Sequence, residues 1–255
     1  LKAVHRLPGA ASNGLAGLAY IRGGDTNETL VILDGLPLYE PFHLRMLQSP
    51  SSVLDERIVE GLDVFAGGFT AEYGDRMSAI IDARTLRPAA DAYYELGLSL
   101  IHANALASQK FADGRGQWLT SFRRSNLDEV ADIMESEIGE SSYLDGFARV
   151  DFAWSPDTRG SLQTLLARDQ AEITNPAGTE HATAEYSNAY VWGTLTHDWS
   201  ARLATTAILS FTDVSAERQA AVDEPGKRTG AVDDVRDYDV LGLKVDARYA
   251  TDRWL

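Results

Sequence analysis

The 255-residue chain contains no cysteine. Disulfides, cysteine-ligated zinc, iron–sulfur clusters and a cysteine nucleophile are therefore excluded. Basic residues are also scarce, with 23 Lys and Arg against 38 Asp and Glu, and the formal net charge is −15. Proteins that coat nucleic acid neutralise phosphates with clustered basic side chains, so we expect no nucleic-acid partner.

Long apolar runs and catalytic motifs are missing as well. No run approaches the ~20 residues of a membrane-spanning helix, and the start of the chain shows no signal-peptide pattern. The motifs G-x-S-x-G, H-E-x-x-H and the P-loop lysine motif do not occur, and the five histidines have no metal-ligand spacing. We therefore predict no enzyme activity, no catalytic residue, no metal ligand and no cofactor.

The pattern of apolar and polar residues changes near Pro88. Before this residue, glycine and proline separate short apolar runs, which is typical of a small mixed α+β unit. The predicted strands of this unit are 18–22, 29–35, 57–68 and 79–85, and parts of 41–58 have helical spacing. After Pro88, runs of alternating apolar and polar residues predict antiparallel strands.

The clearest alternation lies at 238–249, where Leu241, Leu243 and Val245 share one face and Lys244 and Asp246 share the other. About eight strands are predicted in this way. They are 93–100, 103–111, 117–125, 143–154, 160–171, 186–199, 202–213 and 238–249. Periodicity alone leaves two architectures open, because the apolar faces could meet in a soluble two-sheet sandwich or face lipid in a membrane barrel.

Connection lengths and tryptophan positions favour the barrel. Short turns at 112–117, 155–160, 200–201 and 250–253 alternate with longer connections at 126–141, 172–185 and 215–236. Four of the five tryptophans adjoin the short turns, and indole rings favour the membrane interface. We therefore predict part of an aromatic girdle at Trp118, Trp154, Trp199 and Trp254, with Trp192 as the exception.

Motifs in the first 88 residues carry a family resemblance. The segments are LPG (7–9), AYIRGG (19–24), ETLVILDGLPLYEP (28–41) and VLDERIVEGLDVFAGGFTAEYGDRMSAIIDARTLRP (53–88). In this order they resemble the plug domain of TonB-dependent outer-membrane receptors. Two departures occur: FAGG (65–68) stands where the family usually has Arg-Gly-Pro, and DRMSAIIDART (75–85) lacks the usual glycine pair.

The resemblance implies a fold and a domain division. Residues 1–88 would be the C-terminal part of a small α+β plug domain, and 89–255 the N-terminal portion of the transmembrane β-barrel. About eight antiparallel transmembrane strands would belong to an incomplete, roughly 22-stranded barrel. We expect the chain to be a fragment that lacks both ends, including the TonB box and the signal peptide.

The resemblance also implies a function in the outer membrane of a Gram-negative bacterium. It implies TonB-dependent active uptake of a scarce nutrient of the siderophore-iron, vitamin or saccharide class. The implied partners are the periplasmic energy-coupling protein TonB, outer-membrane lipid and a small-molecule or oligosaccharide ligand, with a surface lipoprotein as a further candidate. The alternatives are a soluble or periplasmic β-rich binding module, and an outer-membrane structural or signalling protein that transports nothing.

Candidate site residues follow from the same motifs. Plug loops would supply ligand contacts from Arg22, Tyr39, Glu40, Phe42 and His43, although Arg22 could pair within the protein and the others could simply be packed. We expect polar contacts to dock the plug, because a dry apolar interface would resist its displacement. The plug-motif and docking residues are Gly23, Gly24, Asp34, Gly35, Glu60, Tyr73, Gly74, Arg76, Asp82 and Arg84.

Two loop segments have further patterns. Capping residues and apolar spacing in 126–139 predict a short amphipathic helix in a long loop. Acidic residues of a second loop suit calcium chemistry, but their spacing matches no defined calcium loop, so a solvated acidic loop is favoured. These residues are Asp223, Glu224, Asp233, Asp234, Asp237 and Asp239.

Overall fold

The computed structural model describes a small unit, which holds one four-stranded and two two-stranded sheets, in contact with one eight-stranded sheet. The described residues are 1–8, 10–11, 17, 20–24, 28–45, 49, 51–69, 73–74, 77–127, 140–175, 177–224 and 228–251. Among them, no helix has the length and apolar character that a membrane crossing requires.

The small unit, residues 1–88, which we call the plug after the resemblance given above, is built around a four-stranded sheet. Its strands are β1 (Ala10–Ala11), β2 (Tyr20–Ile21), β3 (Thr29–Leu33), β4 (Leu36–Leu38), β5 (Phe42–His43), β6 (Ser51–Ser52), β7 (Val59–Phe65) and β8 (Ala79–Thr85), with 3-10 helices at Lys2–Arg6 and Glu56–Ile58. The sheet order is β4-β3-β8-β7, with β3 and β8 parallel and the outer pairs antiparallel. The buried runs TLVIL and AIIDART occupy its centre, which agrees with their β-branched composition.

A tight Asp-Gly turn joins β3 to β4. Asp34 and Gly35 both have positive φ, at 45° and 87°, and Leu33 pairs with Leu36 across the turn. This is the conformation of a type I′ hairpin, which Asp-Gly favours. Of the segment 41–58, parts of which have helical spacing, the described residues form a 3-10 helix only at Glu56–Ile58; β5 and β6 pair instead, because Phe42 is buried as part of the core and this packing overrides local propensity.

The large unit is an eight-stranded antiparallel meander in which each strand pairs with its neighbours in sequence. The prediction of eight antiparallel strands is confirmed. The strands are β9 (Ala92–Leu98), β10 (His102–Phe111), β11 (Gly116–Ser125), β12 (Glu140–Ser155), β13 (Thr158–Thr174), β14 (Glu180–Asp198), β15 (Leu203–Glu224) and β16 (Arg228–Tyr249).

The two faces of this sheet have different environments. The apolar residues of the alternating pattern are exposed, as Leu96 (86%) and Leu241 (78%) illustrate. The opposite face packs on the small unit and joins its core through Leu119, Leu165 and Trp192. The apolar faces therefore do not meet in a dry interior, and the two-sheet sandwich is wrong for the described residues.

The connections differ from the predicted alternation. Tight turns at 112–115, 156–157 and 199–202 lie at one end of the sheet, which we call the tight-turn rim. The predicted long connections 172–185 and 215–236 are wrong, because β13 to β16 extend through most of them. Backbone pairing in an antiparallel ladder continues where the side-chain alternation has ended. We call the end of the sheet where β13 joins β14 and β15 joins β16 the opposite rim. Residues 128–139 of the predicted helix 126–139 lie outside the described residues.

Candidate functional site: the contact between plug and sheet

One polar cluster fixes the β5 segment to the large sheet. We call it the His43 cluster; it comprises His43, Asp145 on β12, Asp169 on β13, Arg123 on β11 and Tyr143. His43 is fully buried, and its ring nitrogens face Asp145 at 3.0 Å and Asp169 at a short hydrogen-bond distance. Arg123 donates to Asp145 at 2.8 and 2.7 Å, and Tyr143 stacks on the imidazole with a centroid separation of 4.2 Å.

The geometry of the His43 cluster requires a charged imidazole. A neutral histidine has one N–H, so it can donate to only one of two flanking carboxylates. Burial lowers the pKa of His43, but the hydrogen bonds and charges of Asp145 and Asp169 outweigh it and raise the pKa above its ordinary 6.5. The backbone N–H of Leu44 also donates to Asp169 at 2.8 Å. Two cations and two anions thus form a buried neutral set at the contact.

A second cluster holds the β3–β4 turn. We call it the Asp34 cluster; it comprises Asp34, Thr85, Arg149, Asp151 and Gln163. Asp34 accepts hydrogen bonds from the Thr85 amide (3.1 Å) and hydroxyl and from Arg149 (3.1 Å). When the side-chain amide of Gln163 is oriented so that both its nitrogen and its oxygen have hydrogen-bond partners, the nitrogen donates to Asp34 at 2.8 Å. Asp34 therefore joins the last plug strand to β12 and β13.

An apolar patch lies between these clusters. Val31, Leu33 and Leu36 of the plug belong to one buried group with Phe147 and Trp192 of the large sheet. A Cβ at Gly35 would lie 2.7 Å from the Ile208 side chain, so the turn approaches β15 more closely than a larger residue allows. The contact is therefore mixed, and the prediction of a plug held by polar contacts describes only part of it.

A cavity of about 220 Å³ opens near the opposite rim, where β5 meets β14, β15 and β16. We call it the Arg218 cavity. Its charged and aromatic lining residues are Glu40, Arg45, Tyr186, Arg218, Arg236 and Tyr238. Arg45 pairs with Glu40 and stacks on Tyr186 at 4.2 Å. Arg218 and Arg236 share one carboxylate, Asp234, so three guanidinium groups face two carboxylates here.

The predicted ligand residues divide into two groups. Glu40 lines the Arg218 cavity, and the Tyr39 ring contacts Tyr238 with an edge-to-face geometry at 6.2 Å. Phe42 and His43 are buried in the contact, and Arg22 is exposed on the plug. A Cβ on Gly67 would collide with the Arg22 guanidinium, so Arg22 lies against the 65–68 turn. A ligand role for these residues stays a prediction.

The predicted docking residues also divide. Asp34 and Gly35 lie at the contact, whereas Arg84 pairs with Asp63 on the neighbouring plug strand instead of the large sheet. The Arg84 pair is exposed and forms because β7 and β8 are adjacent. Burial raises the pKa of the nearby Asp82.

The other predicted docking residues have surroundings within the plug. Glu60 is exposed, Gly24 approaches Ser78, and Tyr73 stacks on Phe65. Gly23 (φ 75°) and Gly74 lie in open space, and Arg76 lies outside the described residues.

The tryptophans near the tight-turn rim point to the outer surface. Trp154 and Trp199 are 57% and 63% exposed, and Trp118 is half-buried on the face opposite Leu119. Trp254 lies outside the described residues, so the girdle stays a prediction. Trp192, the sequence exception, is 1% exposed and packs against the plug.

The acidic residues assigned to a loop lie elsewhere. Asp233, Asp234, Asp237 and Asp239 are part of strand β16, and Asp223 and Glu224 end β15. The loop prediction is wrong because β15 and β16 stay paired as far as Glu224 and Arg228. Within the described residues, no group of three or more acidic or histidine side chains could hold a metal ion.

The residues of the large sheet that contact the plug were not predicted from the sequence. Asp145, Asp169, Arg123 and Arg149 were not recognised as docking residues, nor Arg218 and Arg236 as cavity residues. Asp145 and Arg149 lie on the polar face of the alternating strand β12, and charged residues on an inward face are the signal that could have identified them.

Comparisons with known proteins agree with this architecture. The TonB-dependent receptor plug domain profile matches residues 2–79. FpvA of Pseudomonas aeruginosa, solved with a heterologous pyoverdine–iron complex, superimposes with a TM-score of 0.64 at 14% identity, covering 94% of this chain and 35% of that chain. The ferripyoverdine receptor of the outer membrane of the same organism gives 0.61 at 14% identity, covering 90% and 34%.

The chain therefore spans little more than a third of the length of these solved receptors. No curated protein matches it by sequence. At this identity the solved structures support the fold, and the profile match supports the plug. The profile match therefore shows a TonB-dependent receptor plug domain at residues 2–79, and the chain shares the fold of the solved outer-membrane receptors.

Proposed function

We propose that the protein takes up a scarce anionic nutrient across the outer membrane in a TonB-dependent manner. The observation that carries this proposal is the position of the plug, which covers the polar face of the sheet through the His43 and Asp34 clusters while the apolar face is exposed. In this arrangement the plug blocks a path along the inner wall, and energy from TonB is needed to displace it.

The Arg218 cavity supports an iron–siderophore chelate as the ligand class, ahead of a vitamin or a neutral saccharide. Guanidinium groups bind carboxylate and other anionic oxygens with charge-assisted hydrogen bonds. Tyr39, Tyr186 and Tyr238 add aromatic surface beside the three arginines. The two solved receptors are bound to pyoverdine–iron complexes, which supports an iron chelate as the ligand class.

Growth and uptake test the proposal. A deletion strain should grow poorly under iron limitation and lose energy-dependent uptake of radioactive iron carried by one siderophore. Arg218→Gln and Arg236→Gln should each weaken binding of that siderophore by about tenfold to a hundredfold, because a hydrogen bond to a charged group contributes about 1.5–3 kcal/mol.

The matched control is Arg168→Gln, which removes an exposed arginine paired with Glu185 outside the cavity. Normal iron-limited growth and uptake in the deletion strain would contradict the transport proposal. Normal uptake in both cavity variants would leave transport standing and remove the Arg218 cavity as its ligand site.

A further inference from the structure

A second cationic cavity lies at the other end of the contact between plug and sheet. It has a volume of about 450 Å³ and lies near the tight-turn rim, beneath the point where the chain leaves plug strand β8. We call it the Arg149 cavity. Its charged lining residues are Arg87, Arg115, Arg149, Arg159 and Asp151. Four guanidinium groups with one lining carboxylate are unusual in a chain whose net charge is −15.

The pairing of these arginines is incomplete. Arg159 has a partner in Asp198 at 2.9 Å, but Arg87 reaches Asp151 only at 3.9 Å. Within the described part of the chain, Arg115 has no carboxylate partner; it donates to a backbone carbonyl and lies over the Phe152 ring at 5.6 Å.

Arg149 gives a second, independent observation. Its side chain is 2% exposed, and its terminal nitrogens bind Asp34 at 3.1 Å and Asp151 at 2.5 Å. Its Nε–H is buried and has no hydrogen-bond partner among the described residues. An unpaired buried donor on a charged group is costly, so Arg149 has unused hydrogen-bonding capacity beside the cavity.

We propose that the Arg149 cavity binds a small anionic solute through carboxylate or phosphate oxygens. This inference rests on the proposed function. The site would receive the anionic cargo after it passes the plug, because the Arg149 cavity lies near the tight-turn rim and the Arg218 cavity near the opposite rim. Two cationic sites separated by the plug contact allow an anion to leave one site and be held at the next without entering an uncharged region.

The inference is tested by measuring the number and the affinity of anion-binding events in the intact membrane protein, purified in detergent at low salt. Calorimetric titrations with citrate and with inorganic phosphate distinguish carboxylate from phosphate recognition. The double variant Arg115→Gln/Arg159→Gln is suited to the test because both side chains lie outside the Asp34 cluster. Heat-modifiable gel mobility verifies that each variant remains folded.

We expect the wild-type protein to bind at least one of the two probes at the Arg149 cavity. The double variant should lose that binding event or weaken it about tenfold or more. Arg168→Gln should bind as the wild type does, and Arg218→Gln should keep the event that the double variant loses. Retention of every binding event with unchanged affinity in the folded double variant, or no binding of either probe to the wild type, would overturn the inference.

The same experiment separates this inference from the proposed function. Loss of siderophore uptake in Arg218→Gln together with unchanged probe binding in the double variant would remove the Arg149 site alone. Normal siderophore uptake in the deletion strain together with probe binding lost only in the double variant would remove the transport proposal and leave an anion site at the tight-turn rim.

Discussion

Replacing His43 by glutamine is expected to loosen the β5 segment of the plug and to abolish a pH dependence. Removing one partner of a buried charge pair costs about 3–5 kcal/mol, because the remaining charge is left unpaired. Here Asp145 keeps Arg123 as a partner, whereas Asp169 keeps only the Leu44 N–H among the residues that the structure describes. We therefore expect the lower part of this range, about 3 kcal/mol, which is roughly a hundredfold change in a local opening equilibrium.

The sign of the pH dependence follows from the raised pKa of His43. A group whose pKa is higher in the docked state contributes stability that is fully present below the undocked pKa of about 6.5. This contribution is lost as the pH rises through the docked pKa. The charged and titratable groups that face the imidazole are Asp145, Asp169, Arg123 and Tyr143, and both aspartates favour its protonated form.

Hydrogen exchange at the Leu44 amide is the appropriate assay, because this N–H donates to Asp169 inside the cluster. Protection in the wild type, corrected for intrinsic exchange, should be constant at low pH and fall at alkaline pH. The His43→Gln protein should exchange about a hundredfold faster at pH 6 and show no such fall. The exposed pair Arg168–Glu185 gives the control: Glu185→Gln should change protection by less than about 1 kcal/mol. Equal protection and equal pH profiles in wild type and His43→Gln would refute the reasoning.

Three further substitutions have expected outcomes. Gly35→Ala should destabilise the plug by about 1–3 kcal/mol in thermal denaturation, because of its positive φ and its approach to Ile208, whereas Gly74→Ala, in open space, should have little effect. Asp34→Asn should lower the plug's melting temperature without changing the barrel transition, since it removes the charge that its buried partners require; a parallel loss of both transitions would contradict this. Leu241→Arg should reduce the stability of the folded protein in bilayers by about 2–4 kcal/mol in urea titrations if the exposed face lies at the bilayer midplane, and an unchanged midpoint would argue against a lipid-facing position.

The eight strands could be predicted because alternation has a short period and each strand carries the signal by itself. The prediction was poorest in the second half of β15 and the first half of β16. In residues 213–224 the apolar side chains change to the other face, with Val214 and Ala216 buried, and in 228–240 polar residues occur on both faces, but backbone hydrogen bonds between the two strands continue to Glu224. Pairing of this kind depends on the neighbouring strand as well as on the pattern of the side chains.

The candidate site was less predictable than the strands. The turn that carries Asp34 could be recognised locally, since Asp-Gly between apolar runs specifies a hairpin. The partners of His43 could not, because Asp145 and Asp169 lie 102 and 126 residues away along the chain. A buried histidine and a ligand-binding histidine look the same in a single sequence, and only the register of β12 and β13 against the plug distinguishes them.

The two polar clusters have different consequences for plug movement. The Asp34 cluster is attached to the four-stranded sheet, whose strands β3 and β4 share the apolar patch with Phe147 and Trp192. Displacing this part exposes apolar surface to water, which is unfavourable in proportion to its area. Leu44, next to His43, instead packs with Tyr143 and Ala171 in a small cluster separate from the main core. His43 and Leu44 can therefore detach by breaking mainly polar contacts whose groups become hydrated afterwards, whereas Phe42 belongs to the main core. Local release of His43 and Leu44 is expected to precede displacement of the plug sheet.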